Sequence, residues 1–225
     1  MAAVSFDSLL AVATRNKGSA AAVKALLPTV KTPRQLRAVG DDRYLAEMAR
    51  GVFRAGFSWK VVDKKWPGFE QAFAGFDPLG VAHYSDERLT ELLGNTAIIR
   101  HLKKITAVRD NAAYILDCAR HHGSFGQFIA AWPESNIVSL WLELKKKGSR
   151  LGGNTGPIFL RMVGKDTFIL SADVTAALIN HRFMDSISPQ SRRDLAAVQQ
   201  VFNDLQQQSG YPLSHISRVL ALTVT

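Results

Sequence analysis

Apolar residues recur at helical spacing along almost the whole chain, and period-2 alternation is nearly absent. Residues 43–57 place Leu45, Met48, Val52 and Phe53 near one face. The same spacing predicts helices over 86–93, 98–119, 136–147, 155–164, 173–183, 189–209 and 212–223. Asp86 and Asp173 are placed to cap two of them, and Ser188 stands before Pro189 at the expected start of another. The best apolar trio outside this pattern, FIL at 168–170, is too short to imply a sheet. The fold class read from these residues is all-α. Breaks at 28–33, 40–42, 66–68, 75–78, 121–126, 148–156 and 185–189 are short and polar, and none has the length of a flexible linker. Two helical lobes within one unit spanning residues 1–225 fit this punctuation.

At 225 residues and 47% hydrophobic, the chain can bury a real core, as one domain or two small ones. Cys118 is the only cysteine. That excludes an intramolecular disulfide, a four-cysteine iron–sulfur cluster and a cysteine-rich zinc site, so no metal and no cofactor is expected. No run of about 18 apolar residues occurs, so no spanning helix and no membrane partner is expected. The N-terminal segment lacks a basic start before its apolar residues and reads as an amphipathic helix, not a signal peptide. A soluble, cytoplasmic, monomeric protein is the expectation. Twenty-eight Lys and Arg against 19 Asp and Glu give a net charge of +9, which makes a nucleic acid or an anionic surface the first partner class to test.

The chemistry concentrates in residues 145–174, KKKGSRLGGNTGPIFLRMVGKDTFILSADV. A basic helix end (Lys145, Lys146, Lys147) leads through Arg150 into a turn with Gly152, Gly153 and Gly156, and a second helix follows. Glycines let successive N–H groups point at a phosphate, and the next helix adds its positive N-terminal end. That is the physics of a helix–hairpin–helix DNA clamp over about 138–164, with Lys147, Arg150, Gly152, Gly153, Asn154, Thr155 and Gly156 as its contact residues. An ordinary glycine-rich loop after a solvated helix end has the same composition. A Walker loop is excluded, because no G-K-[ST] follows the glycines. A second basic cluster, Arg100, His101, Lys103 and Lys104, reads either as a border of a DNA path or as a solvated face.

Four further segments occur in order: AGFSW at 55–59, FDPLGVA at 76–82, IIRHLKKI at 98–105 and Asn111-Ala112. Together with KKKGSRLGGNT at 145–155, this set resembles the bacterial DNA-3-methyladenine glycosylase I family over roughly residues 45–174. The wider group is the helix–hairpin–helix DNA glycosylases. The resemblance implies an all-helical, two-lobed enzyme that grips double-stranded DNA by the hairpin and flips a damaged base into a pocket. Hydrolysis of the N-glycosidic bond follows, with an N-alkylated purine as the base. A non-catalytic DNA-binding protein is the alternative.

Site residues follow from the same resemblance. The family's pocket tryptophan matches Trp59, with Phe53 and Phe57 as neighbours; a flipped base needs flat apolar surfaces to stack on. Core packing is the other reading of these aromatics. The family's pocket glutamate falls on Gly51, and Glu47 lies one helical turn earlier. The family's zinc site of cysteines and histidines is missing, and residues 1–40 look unrelated to it. Most of the wider group carries a catalytic aspartate shortly after the hairpin, opening a helix. Asp173 holds that place, with Ser171 as the alternative alignment. Its charge would stabilise an oxocarbenium-like transition state; a simple helix cap is the other role. The turn GNTGPIFL offers no Schiff-base lysine, so hydrolysis without strand cleavage is expected.

Overall fold

The computed structural model describes residues 4–224. In chain order its helices are α1 (Phe6–Lys17), α2 (Ala20–Ala25), α3 (Pro33–Arg37), α4 (Asp41–Arg54), α5 (Trp59–Lys64), α6 (Trp66–Ala72), α7 (Pro78–Ala82) and α8 (Asp86–Gly94). There follow α9 (Leu102–His122), α10 (Phe125–Ala131), α11 (Ile137–Lys147), α12 (Thr155–Val163), α13 (Ala172–Asn180), α14 (Arg192–Ser209) and α15 (Leu213–Thr223). Single 3₁₀ turns cover Ala74–Phe76 and Glu134–Asn136. Among the described residues there is no strand, so the all-α reading holds.

The chain forms two compact units. One comprises the residues up to Lys31, Pro133–Leu140 and everything from Gly164 on. In it α1 packs on α15, and α15 packs on α13 and α14. Leu9, Val174, Leu178, Val198, Phe202, Leu213, Ile216 and Leu220 are buried there. Asp166 is also buried, and its carboxylate accepts from the Leu213 and Ser214 N–H groups and from the Ser214 hydroxyl. These bonds satisfy the open start of α15, where Pro212 offers no side-chain cap. The FIL trio runs beside α15 outside any helix or strand. The Ile169 N–H donates to Ser217 Oγ instead of to a strand, and the Phe168 ring stacks on Phe202 at 4.1 Å.

The other unit holds Thr32–Trp132 and Trp141–Val163. Its long helix α9 packs against α4, α7, α8 and α10, and α4 packs against α12. Leu45, Met48, Val52 and Phe53 are buried on α4, as its spacing predicts, together with Tyr44. Asp41 and Asp42 sit in its first turn, where the helix dipole favours negative charge. Phe53, Phe69, Phe73, Phe76, Phe125 and Phe159 complete an aromatic core, and the Tyr44 hydroxyl donates to Leu36 O and ties down α3. Gly51 sits where α4 meets α12. A Cβ there would meet Thr155 Cγ2 at 3.6 Å, ordinary van der Waals contact, so position 51 faces the second hairpin helix.

Several helix ends differ from the sequence reading. The caps are Ser85, Ser171 and Ser191, where Asp86, Asp173 and Ser188 were expected. In each case the serine hydroxyl accepts the N–H three residues on, while the aspartates at 86 and 173 enter the first turn. Helix α4 stops at Arg54 because Ala55 is extended and Gly56 takes φ +76°. Helix α9 starts at Leu102, after an extended His101. The short helices α5, α6 and α7 were not read from the sequence: five to seven residues are too few to show a period.

Candidate functional site

The hairpin forms as expected between α11 and α12. Lys145, Lys146 and Lys147 are exposed at the end of α11, where cations suit the negative helix terminus. The turn is held by Asn111, a fully buried side chain of α9. Its Nδ2 donates to Ser149 O at 3.1 Å, and the Ser149 N–H donates to its Oδ1 at 2.7 Å. This two-point bracket imitates a backbone pair and fixes the chain just before Arg150. Arg150 itself is exposed with φ +61°, a left-handed conformation that costs a non-glycine residue about 1–2 kcal/mol. Gly153 needs its lack of a side chain for φ +58°. At Gly156 a Cβ would lie 2.7 Å from Leu151 O, so the turn closes only over glycine. Gly152 is half-buried, Gly153 and Asn154 are exposed, and Thr155 opens α12.

The AGFSW turn follows α4. Trp59 and Phe57 stand 48% and 42% exposed, whereas Phe53 has no exposed surface and packs on Phe69 at 4.5 Å. Phe53 is therefore a core ring with no face left for a base, which corrects its expected pocket role. Glu47 is half-buried: its Oε1 accepts from Arg50 Nη1 at 2.7 Å, and its buried Oε2 has no hydrogen-bond partner. The Arg50 guanidinium lies 4.1 Å over the Trp66 ring. The Trp66 Nε1–H in turn donates to Glu70, which is paired with Arg43. Glu47 thus belongs to an ion-pair and ring network along α4 and α6.

Two cations lie behind the exposed rings. The Arg54 guanidinium sits 4.6 Å from the Trp59 ring centroid and donates to Asp63 Oδ1 at 2.6 Å. Lys104 Nζ sits 4.5 Å from the Phe57 centroid and donates to the Phe53 and Ala55 carbonyls at the end of α4. Only 3% of Lys104 is exposed, so it is not part of a solvated face as the IIRHLKKI cluster allowed. Burial, helped by the Arg150 charge, holds its ammonium below the usual lysine range. Asn111 and Arg54 carried no site role in the sequence reading, and Lys104 appeared there only within a basic cluster beside a DNA path or on a solvated face. The signal was available for two of them: Lys104 and Asn111 fall on the α9 stripe of Val108, Ile115 and Cys118, where polar residues must find partners.

Asp173 lies in the first unit, exposed in the first turn of α13 behind the Ser171 cap. Among the described residues no three His, Cys, Asp or Glu side chains converge, and Cys118 is buried, its thiol pushed up to about 11 chiefly by desolvation. Among the described residues no helix is long and apolar enough to cross a membrane.

The architecture is shared with the 8-oxoguanine glycosylase/lyase of Methanocaldococcus jannaschii, solved with DNA (TM-score 0.53, 17% identity, 94% of each chain). It is also shared with 3-methyladenine DNA glycosylase I of Staphylococcus aureus (TM-score 0.51, 25% identity, 59% of this chain and 81% of that one). The fold is thus that of the all-α helix–hairpin–helix glycosylases. A family model, methyladenine glycosylase, matches residues 37–150, about half of the chain, and the protein belongs to that family. DNA-3-methyladenine glycosylase 1 of Escherichia coli strain K12 is 36% identical, over 45% of this chain and 64% of its own length. The Haemophilus influenzae DNA-3-methyladenine glycosylase is 33% identical, over 34% of this chain and 41% of its own. The chain thus spans less than two thirds of either curated relative. The family match takes in the AGFSW turn, Lys104 and Asn111 and ends at Arg150, short of Asp173.

Proposed function

We propose that this protein is a monofunctional DNA glycosylase of base-excision repair that releases an N-alkylated purine from duplex DNA. The observation that carries the reading is the arrangement within one unit of the Asn111-held glycine turn and the exposed Trp59 and Phe57 rings. Lys104 links the two, stacked on Phe57 and sensing Arg150. Lys147, Arg150 and the backbone from Gly152 to Gly156 contact phosphates and fix position without reading sequence. Trp59 and Phe57 receive the flipped base and replace the stacking lost from the duplex.

Asp173 is the catalytic residue of this reading. The C1′–N bond breaks with its electron pair leaving on the base. Positive charge builds on the deoxyribose, and the carboxylate opposes it. Water adds to C1′, and its proton passes to the departing base or to solvent. No Schiff base forms: the turn has no lysine, and the Lys165 side chain is fully buried and paired with Glu134 at 2.7 Å. The enzyme acts as a monomer inside the cell and needs no metal.

A single-turnover release assay tests this on duplexes carrying N-methylated purines, hypoxanthine, uracil or oxidised purines, with Asp173→Asn beside the parent at matched DNA occupancy. Release from an alkylated duplex, falling at least a hundredfold in the variant, is the expected result. Equal release by the variant removes Asp173 from the chemistry. DNA binding without release from any substrate turns the protein into a non-catalytic binding module.

A further inference from the structure

Two consecutive residues of α11 lie against two glycines of the hairpin turn. Leu144 is fully buried, and its Cδ1 would stand 3.6 Å from a Cβ at Gly156. Lys145 is exposed, yet its stem lies along Gly152: Cγ, Cδ and Cε would stand 3.3, 3.7 and 3.9 Å from a Cβ there. Gly152 differs in kind from Gly153. Its φ is not positive, so its backbone does not call for glycine. The three atoms nearest its missing side chain all belong to Lys145. The bare backbone of Gly152 thus leaves a shallow seat, and the lysine stem occupies it. Among the described residues no carboxylate pairs with the Lys145 ammonium.

A surface lysine rotates freely, and ordering it on a ligand cancels much of what its charge contributes. A stem already packed on a neighbour has lost that freedom in the free protein, so its ammonium binds at a smaller entropic loss. Three successive carbons of Lys145 stay within 4 Å of position 152, so the chain runs along the turn instead of out into water. We propose that Lys145 is a preorganised phosphate-binding residue of the hairpin, and that position 152 is glycine in order to seat it. The ligand is the DNA backbone. The inference therefore rests on the hairpin being the DNA clamp of the proposed glycosylase, and it adds a residue to Lys147 and Arg150. Lys146 is the matched control. At about 100° per residue it lies about 200° around α11 from buried Leu144, opposite the face that meets the turn.

The test uses the full chain and a short undamaged duplex, with anisotropy measured over a salt series. Lys145→Met keeps the stem and removes the charge; Lys146→Met removes the same charge one residue on. Any difference between the two therefore measures placement. Lys145→Met is expected to weaken binding about tenfold whatever the duplex sequence, and to lower the slope of log K against log salt by about one unit. Lys146→Met is expected to stay within about twofold of the parent, with a slope change under about half a unit. Gly152→Val fills the seat. It is expected to weaken binding about threefold in the parent and to add nothing in the Lys145→Met background. Should Gly152→Val fail to fold, Gly152→Ala replaces it, since a Cβ there asks the lysine stem to yield only by a few tenths of an ångström. Equal losses in the two lysine variants, or Lys145→Met within about twofold of the parent, would overturn the inference. So would a position-152 loss of the same size in both backgrounds, because the glycine would then serve close approach of the DNA itself. A parent that binds no duplex removes the clamp and this inference together. The Lys145 effect without base release from any damaged duplex leaves the inference standing and removes the enzyme reading alone.

Discussion

Replacing Asn111 tests how the hairpin is held. The side chain is fully buried and makes two hydrogen bonds to Ser149, at 2.7 and 3.1 Å. Asn111→Ala orphans one N–H and one C=O of the main chain. A sealed orphan costs about 1–3 kcal/mol. Ser149 is only half-buried, so water reaches part of the gap, and the pair is worth about 2 kcal/mol at the low end of that range. The lost amide volume raises the total to about 2–3 kcal/mol, or about 4–12 °C in Tm for a chain of this length. A second effect follows in DNA binding. Arg150, next in the chain, loses the fixed left-handed backbone that presents it, so the slope of log K against log salt falls by about one unit. Asn111→Asp separates the two bonds. It keeps the acceptor for the Ser149 N–H but sets a carboxylate oxygen against the Ser149 carbonyl. Burial raises the new carboxyl's pKa in the folded state, so the Asp variant regains stability as pH falls through that raised value. Urea and thermal unfolding, with salt-dependent anisotropy on a duplex, read all three quantities. An alanine variant within about 0.5 kcal/mol of the parent, with an unchanged salt slope, would refute the bracket.

Arg150→Gly relieves the positive φ and raises stability by about 0.5–1 kcal/mol, while DNA affinity drops uniformly across sequences; unfolding curves and anisotropy check the opposite signs. Phe53→Ala costs about 3–5 kcal/mol of stability because its ring is wholly core, whereas Trp59→Ala costs under about 1 kcal/mol and slows base release about tenfold or more. Equal stability losses in the two variants would contradict the division between core and platform. His181 is held below its ordinary pKa by burial. The unfolded chain therefore takes up the proton first, and stability declines as pH falls below about 6.5, levelling once the folded value is passed. His181→Gln is expected to flatten that slope in denaturation curves taken between about pH 5 and 7.

The sequence by itself determined the helical class and the hairpin with its glycines. These are local properties. A 3.6-residue apolar period shows over ten or more residues, and glycine turns and basic helix ends mark themselves. It also placed Asp173 near the start of a helix, though the hydroxyl of Ser171 makes the cap. What it left undecided depended on partners far along the chain. Phe53 and Trp59 are six residues apart and equally aromatic; only the packing of Phe69 makes the first a core ring. Gly51 reads as a missing pocket residue until it is seen to face α12, with Thr155 and Phe159 in contact range of its position. Lys104 sits in a run of basic residues, and its burial follows from where α9 meets the end of α4. Asn111 lies 38 residues from the turn it holds. A buried polar group must find a partner, but spacing along the chain does not say which one; that choice is made when distant helices pack.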